Sequence, residues 1–190
     1  MVDDIRQPEA PVDAQFLDRW SPRAFSTEPL TEQEFRSLIE AARWAPSAGN
    51  LQPWFFLCAV SQPDLDLFRG LLDAGNQRWA AAAPVLIFVL VQRKRPSGKV
   101  NETARFDAGA AWMSLALQAR KMGFFAHAMS GFDRSRAFSE LGVPEDDYDI
   151  IAAIAIGRYG DRRELPPDLQ EREKPSIRKP LAQVYRLGRF

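Results

Sequence analysis

Histidine and cysteine are nearly missing from this sequence: His127 and Cys58 are the single examples among 190 residues. One cysteine cannot close an intrachain disulfide, which points to a reducing, cytoplasmic setting. One of each also leaves no zinc site of the usual Cys/His kind and no Cys-His nucleophile pair at typical spacing. Cys58, inside the apolar run WFFLCAV, reads as a small core residue, and His127, in a strand, as a packed histidine. Net charge is absent too. The 25 basic residues balance 25 acidic ones, so no global field draws nucleic acid or an anionic membrane. The longest apolar stretch, Trp79 to Val91, is broken by Pro84 and falls short of the roughly 20 residues a membrane helix needs. Met1 to Ala10 carries acids and Pro8 where a signal peptide would carry an apolar block. The glycines form neither G-x-G-x-x-G nor a P-loop, so a Rossmann pyrophosphate cradle and a triphosphatase loop lack support. Ser130-Gly131 lacks the upstream glycine of a hydrolase elbow.

What is present is a core. At 46% hydrophobic, the chain can bury roughly 70% of the surface its unfolded form exposes, as one domain over residues 1–190 with 1–11 as a loose arm. Thr31 and Glu34 form a capping box, and Phe35, Leu38, Ile39 and Ala42 recur at helical spacing up to Pro46. Trp54 to Val60, aromatic-rich and bounded by prolines, predicts a buried strand, and Val85 to Val91 predicts a second. Asn101 to Met122, free of proline and closed by Gly123, predicts the longest helix. Phe124 to Ala128 and Ile150 to Ile156 are further strands, separated by a short helix from Asp133 to Gly142. Beyond Gly157 the composition turns polar until Pro180 and reads as a surface excursion. No repeat or low-complexity tract interrupts this order, which predicts an α+β sandwich of helices around a small sheet.

Two segments carry chemistry. In Arg19-Trp20-Ser21-Pro22-Arg23, Pro22 biases Ser21 toward extended backbone, which sends both guanidiniums and the hydroxyl to one side. A phosphomonoester needs directed donors and permanent positive charge, and arginine supplies both. The second segment, Ala45-Pro46-Ser47-Ala48-Gly49-Asn50-Leu51-Gln52-Pro53-Trp54, connects a helix to a strand with two carboxamides held between prolines. An amide side chain both donates and accepts, which suits a polar ring edge. Alone, these residues support an anion-binding pocket and no more.

The pattern R-x-S-x-R, then a capped helix, then A-P-S-x-x-N-x-Q-P-W leading into a strand, resembles the nitroreductase family of FMN enzymes from about Arg19 to Pro180. The resemblance implies a three-layer α/β/α sandwich around a small, mainly antiparallel sheet, with the C-terminal tail embracing a partner subunit. It implies tightly bound FMN at a homodimer interface. It assigns Arg19 and Ser21, with Trp20 between them, to the ribityl phosphate and Arg23 to the flavin N1 and C2 carbonyl region. Pro46, Ser47, Asn50 and Gln52 would approach from the adjoining loop, and Asn76 would meet the pyrimidine edge. The next contact position, often lysine in the family, is Trp79. Met129, Ser130 and Gly131 resemble a segment lying over the flavin N5 side, donated by the partner. Arg178 resembles a basic residue that closes on the phosphate, and Ser176 stands where many members have a second one, implying a lighter clamp.

The activity so implied is ping-pong: NADH or NADPH visits as transient donor, and an oxidised small-molecule acceptor, such as a nitroaromatic or quinone, follows in its place. No acid or base residue is required, and a cation at Arg23 would stabilise the anionic reduced flavin. The short link Arg93 to Lys99 predicts an open, weakly selective site. Reductive dehalogenation, flavin fragmentation, and flavin storage or sensing without turnover stay open on the same motifs. Trp112, Met113 and Leu117 suit either a dimer contact or the core.

Overall fold

The computed structural model describes residues 5–189. Its strands are β1 (Trp54–Ala59), β2 (Val85–Gln92), β3 (Phe125–Met129) and β4 (Tyr148–Gly157). Its helices are α1 (Ala14–Asp18), α2 (Glu32–Arg43), α3 (Gln62–Leu71), α4 (Ala74–Ala80), α5 (Ala104–Lys121), α6 (Arg134–Glu140) and α7 (Pro167–Gln170). The sheet runs β1-β2-β4-β3, and all three pairings are antiparallel. Strand β2 is buried from Val85 to Val91, and its alternation divides the core. Leu86, Phe88 and Leu90 meet α3, α4, α6 and α7 through Phe68, Leu71, Trp79, Phe138 and Leu169. Val85, Ile87, Val89 and Val91 meet α2 and α5 through Leu38, Ala42, Ala108 and Leu115. Helices on both faces of an antiparallel sheet make the three-layer sandwich. β1 is an edge strand, so the run expected to be buried is only half covered, and Phe55 remains exposed.

Local signals act as the chemistry demands. Thr31 Oγ1 accepts from the Glu34 amide at 3.2 Å while Glu34 Oε2 accepts from the Thr31 amide at 2.8 Å, closing the capping box of α2. α5, at 18 residues, presents a buried stripe of small side chains (Ala104, Ala108, Ala111, Ala119) that lets α2 approach closely. Trp112, Met113 and Leu117 on that helix are half-buried. Gly123 ends it at φ 86°, a conformation costly for any residue with a Cβ. Residues 101–103 precede α5 as a turn instead of opening it, with the Ala104 amide donating to Asn101 O at 3.2 Å.

The segment after Gly157 is more than a surface excursion. Tyr159 bridges Phe25, the Ser26 amide donates to Arg158 O, and the Gly160 amide donates to Ala24 O, each at 3.0 Å. Leu165, before α7, and Leu169, within it, then enter the core, and Glu173 is buried behind them. Polar composition conceals this docking because two leucines suffice to anchor it. A Cβ on Gly160 would lie 2.6 Å from the backbone C and O of Phe25. Gly160→Ala should therefore destabilise the protein by about 1–3 kcal/mol, read from urea unfolding. An unchanged midpoint would mean this junction is loose. The N-terminal arm falls partly outside the described residues; from residue 5 onward it is tied down through Arg6. Among the described residues no helix is long and apolar enough to cross a membrane.

Candidate functional site

The N-terminal motif, the C-terminal segment and β3 converge on one cleft. It measures about 290 Å³ and is lined by Arg6, Arg19, Trp20, Ser21, Arg23, His127, Arg172, Lys174, Ser176 and Arg178. Arg19, Ser21 and Arg23 share it, as alternate positions of an extended segment should. The Trp20 ring is occupied elsewhere, packed against Phe125 and Tyr159 at centroid distances of 5.9 and 5.7 Å. The volume is at the lower edge of ordinary ligand pockets, suited to one end of a larger molecule. Four other clefts are larger, at about 520 to 840 Å³, but each has acids in its lining and none gathers a comparable donor set.

Six cations line this cleft with no acid among them. Among the described residues, none of the six makes an ion pair. Burial lowers the affinity of Arg19 for its proton, and Arg178 lowers it further. Burial does the same to Arg6, helped by Arg178 and Arg19, and to Arg23, helped by Arg172. Each guanidinium stays charged near neutrality, so these shifts record mutual repulsion and lost solvation that an anion would relieve. The nearest acid, Glu173, is buried behind the clamp. Its carboxylate accepts from the Arg23 amide at 2.8 Å and the Ala24 amide at 2.9 Å. It thereby fixes the backbone from which Arg23 projects.

His127 enters from β3, its ring 4.4 Å from that of Trp79. Its Nδ1 lies 2.7 Å from Pro22 O, so that nitrogen carries the proton and donates. Burial pushes its pKa down to about 4, the Pro22 hydrogen bond opposes this, and Arg23 adds to it. Unfolded histidine binds a proton near pH 6.5, so the neutral packed ring stabilises the fold fully above that pH and progressively less down to about pH 4. The expected result is a ligand-free protein that loses thermal stability across this window, with a flatter profile in His127→Gln. Identical profiles would place the acid sensitivity elsewhere. His127 is thus the packed histidine the sequence suggests, and it also forms a wall of the cleft.

A second group adjoins this one through Trp79, a buried aromatic stacked on Phe25 at 6.2 Å. Asn76 Nδ2 donates to Gly131 O at 2.8 Å, and the Asp73 amide donates to the same oxygen at 3.2 Å. A Cβ at 131 would lie 2.5 Å from the Asp73 carboxylate and 2.6 Å from Asn76 Nδ2, so a side chain there would displace both groups. Met129 is buried at the end of β3, and Ser130 follows it exposed. The segment 129–131, expected from a second copy, starts two residues after His127, the residue of β3 that lines the cleft, and so lies near the cleft of its own chain.

The third group, Pro46 to Gln52, lies apart. Ser47 Oγ accepts from the Gln52 amide at 3.0 Å, and Gln52 Nε2 donates to Asn50 O at 3.1 Å. Asn50 and Gln52, at φ 54° and 47°, are the only non-glycine residues with positive φ among the described residues, and Gly49 beside them is at 59°. Strain of this kind persists where surroundings impose it. Buried Asp107 of α5 accepts from the Ala48 amide at 3.2 Å and from Thr103 Oγ1 at 3.1 Å. Trp54 pairs with Val91 and Val91 with Asp149, whereas His127 pairs with Ala155. Three interstrand steps and six residues along β4 put the start of β1 about 25 Å from His127. One chain thus does not bring its own loop 46–52 to its own clamp.

Sequence reasoning missed Arg6, Arg172, Lys174 and Glu173. Arg6 stands alone in a proline-containing arm, and the other three sit in the charged run Glu171 to Lys174, which resembles solvated surface. No periodicity marks them. The lighter clamp inferred from Ser176 is also corrected: Arg6, Arg172 and Lys174 supply the missing positive charge.

The fold and the cleft define an α+β sandwich with a cation-lined cleft at the edge of its sheet. The nitroreductase family model matches residues 17–74 and 59–158, and the chain belongs to that family. A solved structure described as an oxidoreductase containing FMN superposes with a TM-score of 0.93 at 47% identity, covering 97% of this chain and 96% of that one. A Desulfovibrio desulfuricans nitroreductase, provisionally so named and solved in complex with FMN, gives 0.74 at 26% identity, covering 96% and 99%. A Rhodopseudomonas palustris protein provisionally named NADH dehydrogenase/NAD(P)H nitroreductase is 27% identical over 179 residues, 84% of this chain and 90% of that protein.

Proposed function

We propose that this protein is an FMN-dependent oxidoreductase that takes reducing equivalents from NADH or NADPH and delivers them to a small electrophilic acceptor such as a nitroaromatic or a quinone. The observation that carries the reading is the cleft of six cations that, among the described residues, make no ion pair. A ribityl phosphate supplies the dianion such a cluster needs, and Ser21 adds a hydroxyl donor. Asn76 spends its amide N–H on Gly131 and keeps its carbonyl free to accept from the pyrimidine edge, with Arg23 assigned to the N1 side. The flavin, once bound, supplies hydride acceptance and donation. The protein holds it, orients it and, through Arg23, favours its anionic reduced form.

The working unit we propose is a homodimer. Loop 46–52 would reach the clamp of a second copy, while 129–131 serve their own chain, the reverse of the division expected from sequence. The tight 93–100 hairpin, closed by the Lys94 and Val100 bridge, adds no cover, which favours an open site. The test is to purify the protein, record its visible spectrum, and add NADH or NADPH without oxygen. A flavin spectrum that bleaches is expected; a colourless protein that refuses added FMN would overturn the reading. Light scattering on the eluting flavoprotein should give a dimer, and a monomer with full flavin would remove the shared site.

A further inference from the structure

We propose that Arg6, in the N-terminal arm, is an additional phosphate-recognition residue, and that filling the cleft latches the arm to the C-terminal segment. The inference rests on the flavin reading for the identity of the ligand, but its geometry stands by itself. Arg6 is 9% exposed although it belongs to an arm whose neighbours from Gln7 to Gln15 are exposed. Its Nη1 donates to Leu17 O at 2.6 Å and to Arg19 O at 2.7 Å, and its Nε donates to Ser176 O at 3.1 Å. One guanidinium therefore joins three stretches of chain: the arm, the motif at Arg19, and the segment leading to Arg178.

Those three acceptors are neutral carbonyls. They orient Arg6 without neutralising it, and among the described residues Nη2 has no acceptor. Arg6 lines the cleft beside Arg19 and Arg178, and each of these depresses its proton affinity, so the three charges are held together against repulsion. A planar fork anchored on one edge by carbonyls, with its other nitrogen at a basic cleft, is the arrangement that reads a phosphate. Lysine could not copy it, since a single ammonium cannot satisfy three carbonyls and also face an anion. Once a dianion sits among these charges, each of the three Arg6 hydrogen bonds is freed from opposing repulsion, and the arm and the tail are held more firmly. Glu9 adds a second stitch between the same segments, its carboxylate accepting from the Leu181 amide at 3.0 Å.

The experiment compares wild type with Arg6→Ala and Arg6→Lys for FMN and for riboflavin, which lacks the phosphate. Fluorescence titration should show that Arg6→Ala loses about ten- to a hundredfold in FMN affinity, the scale of a charge-assisted hydrogen bond, with riboflavin affinity unchanged. Arg6→Lys should recover only part of the loss. A variant that weakens both ligands equally would make Arg6 a structural pin and overturn the inference, as would one that weakens neither. Inorganic phosphate provides a test independent of the flavin. In millimolar phosphate, amide exchange over residues 5–18 should slow in wild type and not in Arg6→Ala. Exchange indifferent to phosphate in wild type would overturn the latch even if FMN binds, whereas phosphate protection in a protein that refuses FMN would leave the latch standing and remove the flavin reading.

Discussion

Arg19→Ala should raise the dissociation constant for FMN ten- to a hundredfold, a loss of about 1.5–3 kcal/mol. Arg19, like Arg6, is both burial-strained and repelled by Arg178. The same substitution should have the opposite effect on the ligand-free protein. Removing one of six clustered cations relieves repulsion, so the apo melting temperature should rise while the FMN-dependent increase shrinks. Flavin fluorescence titration measures the first quantity and thermal scans with and without FMN the second. Unchanged affinity together with an unchanged apo midpoint would mean that Arg19 is ordinary surface charge. Stability lost in both states would mean that its packing, not its charge, is what the fold uses.

Glu173→Ala should act on the fold itself. The carboxylate is 4% exposed and accepts from two amides, one of them fully buried, while offsetting part of the positive field around Arg23. Its removal orphans both N–H groups and leaves the cations uncompensated, a cost of roughly 3–5 kcal/mol. For a chain of this size that is on the order of 10 °C in melting temperature. Phosphate or FMN should restore part of the loss by supplying negative charge nearby. Glu173→Gln keeps an acceptor and loses the charge, so its apo form should be milder in defect and its affinity for phosphate at least that of wild type. A Glu173→Ala protein as stable as wild type would show that water replaces the carboxylate and that the turn at Arg23 is held by other contacts.

The regular elements were legible because each rests on local chemistry. The capping box at Thr31, the glycine at 123 and the aromatic run at Trp54 act within a few residues of themselves. What the run at Trp54 could not reveal was its place at the edge of the sheet, since burial on the second face depends on which strand pairs beyond it. The clamp was half legible. Arg19, Ser21 and Arg23 share one strand-like segment and announce themselves by alternation, but Arg6, Arg172 and Lys174 join them only through the docking of both chain ends. The division between copies proposed above turns on strand order, not sequence proximity, which puts loop 46–52 at one end of the sheet and the clamp at the other.

The cleft draws on residue 6, on 19–23, on 127 and on 172–178. The two cores can therefore be largely specified before the cleft exists, because the cleft is completed only by a segment that follows the last strand. Closing so long a loop has an entropic cost that grows only slowly with its length, and a bound dianion acts on it as a reversible clasp between head and tail. A variant truncated before Arg172 would retain every strand of the sheet and lose three of the six cations of the cleft, so under the proposed function FMN retention would report whether residues 172–178 are docked.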